Sequence, residues 1–161
     1  MSKRIASLGV YITFALILSY IEALIPLPLM IPGMKLGLAN LIIVIGLMKF
    51  SKMECFAISM MRVIISSLLF GNIFAMAYSL AGAILSFLIM IIMLKLKGIS
   101  LVSVSVMGAV FHNIGQIIMA ILLLESVSLI YYLPALMISA IITGSVIGLI
   151  SIEVVKRLRK I

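Results

Sequence analysis

Several residue types on which catalysis and metal binding depend are scarce in this sequence. The only acidic residues are Glu22, Glu54, Glu125 and Glu153, so aspartate is absent. The chain therefore has no aspartate cluster to hold magnesium against a diphosphate, and no G-x-x-x-x-G-K-[ST] phosphate loop for ATP hydrolysis. The single cysteine, Cys55, excludes an intramolecular disulfide, and no Cys/His cluster has metal-site spacing. The sequence thus predicts no metal site, no cofactor and no catalytic residue.

Apolar residues, by contrast, are abundant. They make up 66% of the chain, and the mean hydropathy is +1.48, whereas soluble domains are about half apolar. The net charge of +8 could suggest nucleic acid, but the basic residues form short clusters between apolar runs rather than one solvated face. These features exclude a nucleic-acid partner and predict an all-α membrane protein surrounded by lipid.

The apolar runs predict six transmembrane helices in a single integral membrane domain covering residues 1–161. Their predicted bounds are about 5–24, 36–50, 53–70, 73–94, 99–124 and 129–155. The second is short, about 22 Å at 1.5 Å per residue. Residues 25–35 include three prolines, which exclude a regular helix, and we expect this apolar loop to fold over the bundle as a lid.

The distribution of Lys and Arg predicts the orientation, because cytoplasmic loops of membrane proteins are enriched in both. With the N-terminus in the cytoplasm, ten of the twelve Lys and Arg residues fall on the inside and only Lys35 falls on the outside. The inside residues are Lys3, Arg4, Lys49, Lys52, Lys95, Lys97, Lys156, Arg157, Arg159 and Lys160. Both termini are therefore predicted to be cytoplasmic, in a multi-pass protein of a bacterial cell membrane.

Polar side chains inside two apolar helices are the candidates for function. Arg62 lies near the middle of the third helix, where a charge costs about 2.5–3.5 kcal/mol on insertion scales. On the fifth helix, His112 and Gln116 are one turn apart on the same face, with Asn113 beside them. One interpretation is a ligand site. The other is structural, with a hydrogen-bonded packing patch between helices and an arginine satisfied by carbonyls or by Glu22.

Further polar residues fall in the same outer half of the predicted bundle. They include Lys35 in the loop, Asn40 at the start of the second helix and Tyr78 early in the fourth. Their clustering predicts a cavity that opens outward. Two cations, Arg62 and Lys35, against one glutamate favour an anionic or strongly hydrogen-bonding ligand, and the apolar surroundings favour a hydrophobic remainder. Gly144 and Gly148 form a G-x-x-x-G, which we interpret as close helix packing.

Five short motifs, in order along almost the whole chain, resemble the Gx transporter family, which is often labelled heptaprenyl diphosphate synthase component I. The motifs are PGMKLGLAN at 32–40, MRV at 61–63, YSLAG at 78–82, HNIGQ at 112–116 and YYLP at 131–134. That family resembles the substrate-binding S components of energy-coupling factor (ECF) transporters. The resemblance implies a six-helix bundle that captures a nutrient outside the cell and works with a separate transmembrane subunit and two ATPases.

The resemblance has one departure and leaves three functions open. S components often carry Ala-x-x-x-Ala on the first helix for docking to the transmembrane subunit, and the nearest match here is Ala15-x-x-x-Ser19. The first function is a solute-binding transport subunit for a small anionic or aromatic nutrient, or a quinone or isoprenoid precursor. The second is a membrane accessory subunit of a polyprenyl diphosphate synthase, and the third is a structural or assembly protein without a ligand.

Overall fold

Helices make up almost all of the structure, a computed structural model that describes residues 2–25 and 37–158. They are α1 (Ser2–Leu24), α2 (Asn40–Gly46), α3 (Lys52–Phe70), α4 (Ile73–Lys95), α5 (Leu101–Leu124) and α6 (Leu133–Leu158), with a 3-10 helix, Val127–Tyr132, directly before α6. Within the described ranges, α1, α3, α4, α5 and the continuous stretch Val127–Leu158 are five segments long and apolar enough to cross a membrane. The prediction of an all-helical membrane protein is confirmed at this level.

Local capping explains why three helix starts were predicted to within two residues. The Ser51 side chain accepts from the Glu54 backbone N–H while the Glu54 carboxylate accepts from the Ser51 N–H, which is a capping box for α3. The Asn72 side chain caps α4 by accepting from the N–H of Ala75 at 2.8 Å. Ser100 does the same for α5, accepting from the N–H of Ser103 at 3.1 Å.

The second and sixth predicted helices differ from the structure. The helix predicted at 36–50 is only Asn40–Gly46 in the described part of the chain. Gly37 has a left-handed φ of +73°, and after Gly46 the N–H groups of Met48 and Lys49 donate to carbonyls three residues back instead of four. The segment predicted as a helix from residue 129 begins as the 3-10 helix. Pro134 has no N–H to continue an α-helical ladder across this junction, so α6 begins at Leu133.

An ion pair shows that α1 and α3 begin at the same end of the bundle. Arg4 donates to both carboxylate oxygens of Glu54, Nε to Oε1 at 2.7 Å and Nη2 to Oε2 at 2.9 Å. The rings of Tyr20 and Phe70, near the other ends of the same helices, are 5.0 Å apart. The helices α1 and α3 are therefore parallel, and the chain that includes α2 returns from one end of the bundle to the other between them.

The helices α2 and α6 end at the same end of the bundle at which α1 and α3 begin. Lys49 lies with its Nζ 5.5 Å from the Tyr11 ring centroid, and it lines a gap together with Val155 and Leu158. We call this the basic end, and the other the opposite end. The first described residue of α1 and the last of α6 thus lie at the basic end.

The tightly packed core lies in the basic half of the bundle. Its buried residues are Ile43, Val44, Cys55, Ile58, Phe87, Met90 and Val104. The central helix is α5, which packs most extensively against α4 and α6. A Cβ on Gly148 would lie 2.6 Å from the Val102 Cα, and one on Gly144 would lie 2.8 Å from the Val106 Cα. The G-x-x-x-G of α6 is accordingly a close-packing face against α5.

The face of α1 that carries Ala15 and Ser19 is turned toward the other helices. Ala15 is fully buried, and the Ser19 hydroxyl oxygen is buried without a hydrogen-bond partner among the described residues, whereas Phe14, Ile17 and Ile21 are exposed on the outer face of the helix. In this conformation the Ala15-x-x-x-Ser19 match to the docking motif is occupied by contacts within the chain.

Candidate functional site

A polar cavity brings together four of the predicted site residues. Arg62 from α3, Asn40 from α2, and His112 and Asn113 from α5 all line it. Its volume is about 50 Å³, measured as space for the centre of a water-sized sphere. The remaining lining residues are Glu22, Gly37, Ala109, Ala140 and Thr143. The four predicted residues that the structure joins here are up to 73 positions apart in the sequence, from Asn40 to Asn113.

Arg62 contributes the charge of the polar cavity. Its Nε is buried and has no hydrogen-bond partner within the described ranges. Both ion pairs among the described residues, Arg4–Glu54 and Glu153–Arg157, exclude it. A buried guanidinium N–H without an acceptor is costly, so this group is suited to receive an oxygen atom from a molecule in the cavity.

Glu22 is the carboxylate of the polar cavity, but it has another hydrogen-bond partner. Its Oε1 accepts from the backbone N–H of Gly37 at 2.6 Å, which ties the end of α1 to the start of the α2 region. It interacts with Arg62 electrostatically, without an ion pair between the two described side chains. The carboxylate thus moderates the positive charge of the cavity without covering the Arg62 Nε.

Gly82 of α4 determines how closely α4 approaches His112. A Cβ on Gly82 would lie 2.7 Å from the His112 carbonyl oxygen, 2.9 Å from the Gln116 Cγ and 3.0 Å from the His112 Cε1. Gly115, one turn away on α5, is equally close to Ala81, whose carbonyl oxygen would lie 2.7 Å from an added Cβ. Two small residues therefore hold the polar face of α5 against α4.

An apolar cavity receives the other two described candidates, Tyr78 and Gln116. It has a volume of about 360 Å³ on the same measure and lies between α4, α5, the 3-10 helix and α6, toward the opposite end. Its other lining residues are Ala75, Ser79, Ile117, Ala120, Leu124, Leu129, Tyr132 and Leu136. The one pocket expected from the sequence is thus two cavities, because α4 and α6 approach α5 between His112 and Gln116.

Two amides of α5 lie at the boundary between the cavities. Asn113, only 7% exposed, donates from Nδ2 to the Leu136 carbonyl oxygen at 2.9 Å. Gln116 is 6% exposed, and its Oε1 has no hydrogen-bond partner in the described part of the chain. The Asn113 amide therefore has a protein partner, whereas the Gln116 Oε1 is an acceptor to which no described residue donates.

Some predicted features cannot be placed, and some lining residues were missed. Lys35 and all of the proposed lid at 25–35 except Ile25 lie outside the described residues, as do Arg159 and Lys160. Thr143 and Tyr132 were not among the predicted site residues, although each lines a cavity. Tyr132 stands in the YYLP motif, and its neighbour Tyr131 is 83% exposed, as expected of an aromatic side chain at a membrane interface.

Comparison with known proteins gives one family. The family model described as heptaprenyl diphosphate synthase component I matches residues 11–154. No curated protein and no solved structure matches the chain. The matched region contains every described residue of both cavities. It covers most of the sequence, and the chain therefore belongs to the heptaprenyl diphosphate synthase component I family.

Proposed function

We propose that this protein is a solute-binding membrane subunit that captures a small ligand with an anionic group in the polar cavity. The observation that carries the proposal is the buried Arg62 Nε, which lacks a partner among the described residues and lines a cavity with five other polar side chains. A structural arginine would be expected to be satisfied by the protein itself. An unmet guanidinium N–H in a membrane helix instead suits a carboxylate, sulfonate or phosphate oxygen.

The topology proposed with this function has six crossings and both termini in the cytoplasm. The parallel arrangement of α1 and α3 supports it, because the chain from Leu24 to Ser51 must return across the bundle even though α2 alone is short. The concentration of Lys and Arg at the basic end supports placing that end inside. Reporter fusions at both termini test it: both report the cytoplasm with six crossings, and they disagree with five.

Transport would require energy from a partner, since the sequence has no phosphate-binding loop. We propose coupling to a transmembrane subunit and ATPases of the energy-coupling factor type. Because Ala15 is buried, docking would use the exposed apolar face of α1 or another helix. Co-expression of a tagged chain with such a module from its own source organism tests this coupling. If the coupling exists, ATPase subunits purify with the tagged chain. If there is no coupling, the chain purifies without them.

The binding proposal is tested by mass spectrometry of small molecules extracted from the purified protein. The parent chain, Arg62→Gln and His112→Ala are compared with Arg157→Gln, a matched control whose arginine is exposed and paired with Glu153. We expect an acidic molecule in the parent and control that is depleted about 10- to 100-fold in Arg62→Gln, since a hydrogen bond to a charged group contributes ~1.5–3 kcal/mol. Equal recovery from all four proteins contradicts the proposal.

A second candidate function rests on the family description and on the apolar cavity. The chain would be a membrane accessory subunit of a polyprenyl diphosphate synthase that receives a prenyl product. Because the chain contains no aspartate, the carboxylates that hold magnesium would have to come from a soluble catalytic subunit. Prenyl transfer that a soluble synthase performs only when this chain is added favours this function, and unchanged synthase activity removes it.

A further inference from the structure

The polar cavity is too small to hold a whole nutrient. A buried water needs at least ~10–15 Å³ of space on this kind of measure, so about 50 Å³ accommodates only a few waters. That is room for a single carboxylate, sulfonate or phosphate group. The remainder of any ligand anchored at Arg62 must lie in an adjoining space.

The apolar cavity adjoins it along α5. His112 and Asn113 line the polar cavity and Gln116 lines the apolar one, and residues four apart on a helix are about 6 Å apart. The apolar cavity, at about 360 Å³, is more than twice the ~150 Å³ of an engineered cavity that binds benzene. It therefore has room for about two fused rings.

The lining of the apolar cavity favours a flat ring with a hydrogen-bond donor. Tyr78 of α4 and Tyr132 of the 3-10 helix both line it, and aromatic side chains pack well against planar rings. Gln116 is buried, with only 6% of its surface exposed, and its Oε1 accepts no hydrogen bond from the described residues. A hydroxyl or ring N–H on the ligand would satisfy this acceptor.

We propose, building on the function proposed above, that the substrate is a fused-ring aromatic acid. Its anionic group binds Arg62, its rings occupy the apolar cavity, and a donor on the rings bonds to the Gln116 Oε1. For the rings to lie beside the acid group, the Asn113–Leu136 hydrogen bond between the cavities has to open on binding.

Four acids distinguish this proposal from its alternatives in equilibrium dialysis with the full chain in lipid nanodiscs. The probes are benzoate, naphthoate, hydroxynaphthoate and geranate, a branched-chain acid. We expect naphthoate to bind at least about tenfold more tightly than benzoate or geranate, and hydroxynaphthoate more tightly again. Gln116→Met should remove only the advantage of the hydroxyl group, because methionine keeps the length of the side chain without a strong acceptor.

A cavity-filling variant locates the rings. Ala120→Phe, which fills part of the apolar cavity, should abolish the naphthoate advantage by weakening naphthoate binding more than benzoate binding, because a single ring needs less of the cavity. Ile118→Phe, 50% exposed on α5, should change neither affinity. A thermal unfolding midpoint close to that of the parent shows that the variant is folded, and Ala75→Leu fills the cavity from α4 if it is not. Equal binding of naphthoate and benzoate, tighter binding of geranate, or indifference to both filling variants overturns the ring proposal alone. Absence of acid binding, or acid binding unaffected by Arg62→Gln, overturns the proposed function as well.

Discussion

Asn113 and Leu136 are joined by a hydrogen bond of 2.9 Å across the wall between two cavities. Asn113 lines the polar cavity, whereas Leu136, in the first turn of α6, lines the apolar one. Both residues are buried, at 7% and 1% exposure. This bond therefore fixes the start of α6 against the middle of α5 and keeps the two cavities apart.

Removing the donor of this bond should loosen the wall. Asn113→Asp keeps the shape of the side chain but, when ionised, cannot donate to the Leu136 carbonyl. We expect a free energy of unfolding lower by about 1–3 kcal/mol, because a buried carboxylate would face a carbonyl oxygen. Calorimetric unfolding in detergent measures the change, with Glu153→Gln at the exposed end of α6 as a control. An unchanged midpoint contradicts a structural role for the bond.

Glu22 should weaken the binding of an anion at Arg62. Glu22→Gln removes the negative charge and keeps an oxygen that can accept from the Gly37 N–H. We expect the affinity for an acidic ligand to rise about 3- to 10-fold, which corresponds to ~1 kcal/mol of relieved repulsion at a partly exposed site. Dialysis with benzoate measures it, and Glu153→Gln, at the far end of α6, should leave the affinity unchanged. Weaker binding to Glu22→Gln would mean that the carboxylate takes part in recognition.

Substituting a glycine at the close contact between α5 and α6 should have the opposite effect from substituting an exposed glycine on α1. Gly148→Ala should destabilise the protein by about 1–3 kcal/mol, because the added Cβ would lie 2.6 Å from the Val102 Cα and the backbone must shift. Gly9→Ala on the exposed side of α1 meets nothing within 4 Å and should be neutral or stabilise by up to ~1 kcal/mol. Thermal unfolding of both variants separates packing from helix propensity, and equal midpoints contradict the packing role.

The end of α5 contains a residue in an unfavourable backbone conformation. Glu125 has a φ of 50° in the left-handed region at the C-cap, which glycine adopts without a steric cost. Glu125→Gly should therefore stabilise the protein by about 0.5–1 kcal/mol. Ser126→Gly is the matched control, since the φ of Ser126 is −122° and glycine there gains only freedom in the unfolded chain. A lower midpoint for Glu125→Gly would contradict this account.

The sequence predicted most helices well because their ends are chemically marked. Asn72 and Ser100 cap α4 and α5, and the Lys95-to-Gly98 stretch separates these helices. The extent of α2 was not predictable from apolar composition, since hydrophobicity continues through Leu47 and Met48 while the backbone leaves the α-helix. Burial of α2 on all sides provides stability that its seven residues would not have alone.

The division of the site into two cavities could not be predicted from the sequence. The sequence placed His112 and Gln116 on one helix face, and in the structure both lie next to Gly82 of α4, but the position at which Leu136 and Asn113 meet depends on how α6 crosses α5. That crossing is set by Gly144 and Gly148 against Val106 and Val102. Helical periodicity assigns a residue to a face, and only the packing of neighbouring helices decides which cavity the face lines.

The central claim is that the Arg62 guanidinium holds the anionic group of a bound molecule, and an experimental density map of the protein purified in lipid nanodiscs tests it most directly. We predict density not belonging to the protein or to lipid in the polar cavity, with an oxygen atom within about 3 Å of the Arg62 Nε. A map in which the Arg62 Nε donates to a protein acceptor, and in which the cavity holds only water, would contradict the claim.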